Sequence, residues 1–224
     1  MQLTLPEVVP VMTLANAALL PHTVMPLYIF EQRYRRMLAD ALAGSRAFAL
    51  ANDASPQNSQ IEVPAQIATL GIIRLSSLNH DGTSTIMLYG AQRIRILSTD
   101  ETAAPYLVAR VQPVPSEADL SPETATAHRK RLEELIQKLD TLRGSSESQR
   151  AIEICSKIED LEACTHFAMQ AYCNSVGILQ QVLEARRSSE RLKIAIEYLS
   201  RQVALFSLLK AQEDDPGDRS HFRN

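Results

Sequence analysis

The placement of proline constrains this chain more than any other feature of its sequence. Of 11 prolines, all but Pro216 lie at or before Pro122. Proline has no backbone N–H and a fixed φ, so strand edges and turns tolerate it and helix interiors do not. Lysine is distributed the other way, and none occurs before Lys130. The first half is punctuated like a β-rich region, and the second half is free to form long helices. We therefore expect two lobes of different architecture: residues 1–117 rich in strands, residues 118–212 helical, and a flexible polar tail over 213–224.

Local patterns fill in the first lobe. Val8–Leu14, with Pro10 inside it, reads as an edge or irregular strand. Val24–Phe30 is a second extended apolar run. From Glu31 the period changes: Tyr34, Met37, Leu38, Ala41 and Leu42 recur at three- and four-residue steps, predicting an amphipathic helix that Gly44 stops. Arg46–Leu50 reads as a short strand and Asn52–Gln60 as an exposed loop. Asp81-Gly82 between two β-rich runs predicts a hairpin, because glycine supplies the positive φ of a primed turn. Gly90 marks a bulge or a tight corner before the alternating stretch to Ile96. Pro105–Pro113 adds one more strand. A closed or nearly closed barrel is the economical way to bury about six such strands and one helix.

The second lobe opens on Ser121-Pro122-Glu123, a hydroxyl cap followed by proline at the first helical position. Leu132, Leu135, Ile136, Leu139 and Leu142 form the stripe of the first helix, and Gly144-Ser145-Ser146 breaks it. The stripe Ile154, Ile158, Leu161, Thr165, Ala168, Met169 and Tyr172 predicts a second helix. Gly177 interrupts again before a short helix through Leu179, Val182 and Leu183. Ser188-Ser189 caps a last helix carrying Leu192, Ile196, Leu199, Val203 and Phe206. Arg129-Lys130-Arg131, flanked by Glu133 and Glu134, reads as a solvated helical face.

Several classes of function are disfavoured by what the sequence lacks. No apolar run reaches the ~18 residues of a membrane span. The start of the chain has no basic segment leading into an apolar one, so no secretory signal is expected and a cytoplasmic setting is the default. None of the seven glycines opens a phosphate loop or a dinucleotide fingerprint, and there is no GxSxG elbow or HExxH. The five histidines are scattered. Cys155, Cys164 and Cys173 are spaced by nine residues, which on one helix turns Cys164 away from the other two. No catalytic residue, cofactor or metal ligand is assigned, and an enzyme is not expected. Through Ser116 the chain has eight arginines, no lysine and eight acids, a poor basis for tracking phosphates.

One block is recognisable. Val9-Pro10-Val11-Met12, Leu20-Pro21, and above all Pro26-Leu27-x-Ile29-Phe30-Glu31-x-Arg33-Tyr34 resemble the N-terminal domain of Lon proteases and its stand-alone relatives. Gly90-x-x-Arg93-Ile94-Arg95, Pro105-Tyr106-Leu107, and Leu179–Glu184 followed by Ser189-Glu190-Arg191-Leu192 continue the likeness in order. His22-Thr23 stands where relatives often carry glycine, Ile94 replaces an aromatic, and the Asn52–Gln60 loop matches poorly. The resemblance implies an α+β chain: a PUA-like β pseudo-barrel with one helix, then a C-terminal α-helical bundle. It also implies a non-catalytic module that binds unfolded or specific polypeptides, without the ATPase and peptidase domains. The signature Pro26, Leu27, Ile29, Phe30, Glu31, Arg33 and Tyr34 is expected to be structural, with Phe30 filling the end of the barrel and Glu31 and Arg33 bracing the helix start. The turn from Leu20 to Met25 and the Asn52–Gln60 loop are candidate binding segments. A polypeptide or protein partner is expected, with no membrane or nucleic acid and with room for weak self-association. An adaptor for a separate protease or another folded protein is the main alternative, and RNA binding by analogy of fold is the weaker one.

Overall fold

The computed structural model describes residues 6–55, 62–144 and 148–213. Six strands and one helix come first: β1 (Val8–Leu14), β2 (Val24–Ile29), α1 (Gln32–Ala43), β3 (Ala47–Asn52), β4 (Ile67–Leu78), β5 (Ser84–Asp100) and β6 (Val108–Pro113). Five helices follow: α2 (Pro122–Arg143), α3 (Ser148–Lys157), α4 (Leu161–Tyr172), α5 (Val176–Glu184) and α6 (Ser188–Glu213). A mixed β-sheet thus precedes an α-helical bundle.

The sheet is mixed because β1 pairs β3 in parallel while every other pairing is antiparallel. β6 bonds to both β1 and β5, so the ladder β1-β3-β4-β5-β6 returns on itself. β2 stands outside this ring, attached among the described residues only to the first half of β5. β5 manages this by changing partners along its 17 residues. Val24–Ile29 pair with its first half, and Val108–Pro113 with its second. The switch falls at Gly90, where the register with β4 jumps from Leu70–Gln92 to Gly71–Gly90. A Cβ at Gly90 would run into the carbonyl oxygen of Leu20, so the close approach requires glycine. The hairpin between β4 and β5 forms at the expected place but not through a primed turn: Gly82 N closes on Asn79 O around His80 and Asp81, neither at positive φ, and Gly82 then takes φ +79, while Asp81 accepts from Thr83 N.

Three apolar clusters organise the interior. Alternate residues of the ring, including Val9, Val11, Leu70, Ile94 and Val111, form one. Met12, Phe48, Leu50, Ile73, Ile86 and Leu88 pack with Tyr34, Met37, Leu38 and Ala41 of α1 in the second. The third belongs to the helices but takes in Ala18, Leu20 and Ile67 from the β lobe, so the two lobes share a core.

Polar groups complete that junction. Leu20 N donates to Gln170 Oε1 at 3.0 Å, Gln170 Nε2 to Ala18 O, and Gln180 Nε2 to Ile67 O. Arg93 of β5 and Arg191 of α6 are both buried and both donate to Ala185 O, just past the C-terminal end of α5, where carbonyls lack helical partners. Glu162 of α4 accepts from Arg191 Nη2 at 2.9 Å and, through Ser116 Oγ, is linked to Arg93 Nη2. Burial draws the Arg93 guanidinium down to about 10, with Arg191 adding to the effect. His166 is wholly buried, bonded through Nδ1 to Pro21 O at 3.1 Å.

The helical lobe departs from the sequence reading in four places. The stripe from Ile154 to Tyr172 belongs to two helices, because Asp160 caps a fresh start at α4, accepting from Ala163 N at 2.9 Å. The turn between α3 and α4 makes Cys164 a neighbour of Cys155, with Sγ 3.9 Å from the Cys155 carbonyl oxygen, rather than directing it away. All three cysteines are free and buried, and no metal-holding cluster exists among the described residues. Arg129 is not simply solvated: it closes the end of α3 by donating to the carbonyls of Cys155, Ile158 and Glu159. Gly177 lies inside the first turn of α5, and Ser175 marks the break. The Asn52–Gln60 loop and the tail lie largely outside the described residues.

Two outcomes follow from the junction. Gly90→Ala forces a methyl onto the Leu20 carbonyl and is expected to cost about 1–3 kcal/mol, read as a lower urea midpoint with an unchanged slope. Burial holds the His166 imidazole down near 3, helped by Arg191 and His22, against an ordinary value of 6.5. Between those values the unfolded chain binds a proton that the folded chain refuses. His166 therefore carries no penalty above pH ~6.5 and subtracts up to about 1.4 kcal/mol per pH unit as the pH falls toward 3. Urea titrations of the native chain and of His166→Gln across that window should show the shallower acid loss in the variant.

Candidate functional site

β2 follows the period of a strand, with Met25, Leu27 and Ile29 turned inward and Val24, Pro26 and Tyr28 outward. In most one-sided sheets the outward set is polar. Here it is apolar, and its cross-strand neighbours extend it. Val24 lies opposite Tyr89, and Tyr28 opposite Thr85. Pro26 lies opposite Met87, which in turn lies opposite Leu75 of β4. Tyr28 and Phe30 stack with ring centroids 6.0 Å apart. Tyr28 is 54% exposed, Phe30 60% and Leu75 66%. Arg74 lies over the ring of Tyr89 at 4.8 Å, leaving the cation at the margin of the patch. A contiguous exposed apolar surface of this kind marks an interaction site more often than an isolated exposed leucine does.

The recognisable block divides between this surface and its support. Ile29 and Tyr34 are buried and Leu27 is half-buried, all within the cluster beneath α1. Pro26 and Phe30 lie on the surface, so Phe30 does not fill the end of the sheet as the sequence suggested. Glu31 precedes the first turn of α1, and its carboxylate does not cap the helix but accepts from Arg33 Nε at 2.9 Å. Arg33 also grips Glu62 through both Nη atoms, at 3.0 and 2.6 Å. These carboxylates raise the Arg33 guanidinium further, with Glu62 the larger influence. Arg33 stacks on Tyr34 at 4.4 Å, and the Tyr34 hydroxyl accepts from Thr13 N and donates to Thr13 O. Burial pushes that hydroxyl up to about 12, so it stays a neutral donor across physiological pH.

Between β1 and the C-terminal end of β2 lies a groove of about 130 Å³, lined by Met12, Leu14, Leu27, Ile29, Phe30 and Tyr34 among others. Its size suits one apolar side chain. The turn Leu20–Met25 reaches this region only through Val24. Pro21 and Thr23 are buried against the helices, and His22 takes φ +65, a conformation that glycine adopts more readily. Sequence reading misses the surface because an apolar run on both faces looks like a buried strand. The available signal was Pro26, since a strand with an interior proline belongs at a sheet edge. A second apolar exposure, Leu205, Leu208 and Leu209, lies near the end of α6.

The family model for the ATP-dependent protease La (LON) substrate-binding domain matches residues 8–201. The chain belongs to this family. Lon protease of Dictyoglomus thermophilum is 26% identical over 209 residues, 91% of this chain and 26% of that protein. Lon protease 1 of Thermus thermophilus is 28% identical over 213 residues, 90% and 25% respectively. The chain thus spans about a quarter of the length of these relatives. The N-terminal domain of the Mycobacterium avium complex Lon protease superposes with a TM-score of 0.69 at 21% identity, covering 86% of this chain and 98% of that one. A Lon N-terminal domain protein from Xanthomonas campestris superposes at 0.58 with 19% identity, covering 85% and 98%. The matched region of Lon is its non-catalytic substrate-binding part, and these 224 residues hold neither its ATPase nor its peptidase domain. Among the described residues no helix is long and apolar enough to cross a membrane.

Tyr34→Phe tests the support of this surface. It leaves the buried Thr13 N–H without its acceptor and is expected to destabilise the chain by about 1–3 kcal/mol, measured by urea unfolding.

Proposed function

We propose that this chain is a recognition module that binds unfolded or extended polypeptide on the outward face of β2, β5 and β4. One observation carries the reading: the exposed Tyr28–Phe30 stack continues into Pro26, Met87 and Leu75 across three paired strands. An unfolded chain differs from a folded one chiefly in showing apolar side chains to solvent, and this face offers a surface to cover them. Membership of a family of substrate-binding domains supports it. On this reading the β lobe, residues 1–117, is a PUA-like pseudo-barrel that presents the face, and residues 118–212 are the bundle that braces it. The setting we infer is cytoplasmic. Nucleic acid is disfavoured by the even balance of arginine and acid through Ser116.

A second reading, docking onto a folded partner, draws on Leu205, Leu208 and Leu209 of α6. Binding to a permanently unfolded, labelled casein-like chain separates the two. Tyr28→Ser with Phe30→Ser is expected to weaken saturable binding roughly tenfold or more, since each buried aromatic is worth about 1.5–3 kcal/mol. Leu208→Lys should leave that binding unchanged. The absence of saturable binding by a folded native chain overturns the reading. Loss on Leu208→Lys alone favours the second.

A further inference from the structure

β2 is the terminal strand of its sheet, and its hydrogen-bonding parity can be read directly. Gly90 N of β5 donates to Thr23 O at 2.9 Å. Antiparallel pairs alternate between bonded and non-bonded positions. Met25, Leu27 and Ile29, opposite Leu88, Ile86 and Ser84, are therefore the bonded set. Val24, Pro26 and Tyr28 turn their backbone groups away from β5, toward the open edge. Pro26 fits this assignment, because its missing N–H falls where the ladder to β5 needs none. Among the described residues, no backbone N–H or C=O of Val24 or Tyr28 is bonded to any other segment. The edge shows the N–H groups of Val24 and Tyr28 and the C=O groups of all three residues, an alternation of positive and negative partial charge. The apolar groove between β1 and β2 lies at the C-terminal end of the same strand.

We propose that an extended polypeptide segment joins β2 as an added strand, pairing its backbone with Val24 and Tyr28 and placing one apolar side chain in the groove between β1 and β2. This rests on the reading that the β2 face binds polypeptide, and it specifies how. The alternating partial charges of the edge are complementary to any extended backbone, whatever its side chains. Folded proteins have most of their backbone groups already paired, so an edge of this kind selects for chain that is not folded. Affinity then comes from the backbone, while the groove and the Tyr28–Phe30 stack bias the choice toward apolar and aromatic segments. Pro26 also argues against a second copy as the occupant. Antiparallel pairing of two β2 edges about their centre sets proline against proline and forfeits two donors, as proline on an exposed edge commonly discourages self-pairing.

Amide exchange of the full chain, with and without a short unstructured peptide carrying alternating leucine and phenylalanine, provides the test. The amides of Val24 and Tyr28 are expected to slow about tenfold or more on binding, while those of Met25, Leu27 and Ile29 are protected throughout. Val24→Pro removes one outward N–H without touching the ladder to β5, and should bind the peptide several-fold more weakly than Val24→Ala. Saturable binding with Val24 and Tyr28 exchanging as in the free chain overturns the added strand and leaves the polypeptide-binding face standing. Equal binding by Val24→Pro and Val24→Ala, both folded, does the same. No saturable peptide binding at all removes the underlying reading as well.

Discussion

Arg93 and Arg191 reach the Ala185 carbonyl from opposite lobes, one from the sheet and one from the last helix. Two buried guanidiniums are costly unless every donor finds an acceptor. Here the acceptors come from the C-terminal end of α5, from Ser116, and from Glu162, the carboxylate of α4 that serves both cations. Satisfying them therefore fixes β5, the segment after β6, and three helices with respect to one another. The shared core around Leu20 and Ile67 and the Gln170 and Gln180 bonds follow from that fixed approach, and so does the need for glycine at position 90.

The outward face of β2 depends on this arrangement at one remove. β5 can carry β2 on one half and β6 on the other only because it bends past Leu20 at Gly90. The block from Pro26 to Tyr34 thus places residues on both sides of one strand. Leu27, Ile29 and Tyr34 hold β2 and α1 to the core, Glu31 and Arg33 tie the entry of α1 to Glu62, and Pro26 and Phe30 remain at the surface.

Local chemistry was legible where a single residue type decides the backbone. The Asp81-Gly82 hairpin, the Ser121-Pro122 start of α2 and the irregularity at Gly90 all lie where the residues place them. The parallel pairing of β1 with β3 was not legible, since it depends on non-local contacts that no local pattern encodes. Charged residues read as surface by default, which hid the burial of Arg93 and Arg191 and the capping role of Arg129. The split between α3 and α4 was missed because the apolar stripe keeps its spacing across the break, although Asp160 signals a new start. Phe30 was misplaced because apolarity alone does not tell which side of a strand faces water.

The partner switch along β5 has a mechanical side. β2 is joined to β5 over six consecutive positions, Val24 to Ile29, and β5 continues past Gly90 into the ring. A load drawn along β2 is met in shear, with the rungs of the ladder stretched together, whereas a load perpendicular to it would peel them one after another. Tension entering along the strand passes through β5 into β4 and β6, and from Arg93 into the helices. The outward face is thus mounted so that a pull along its strands is spread over both lobes before any single hydrogen bond has to yield.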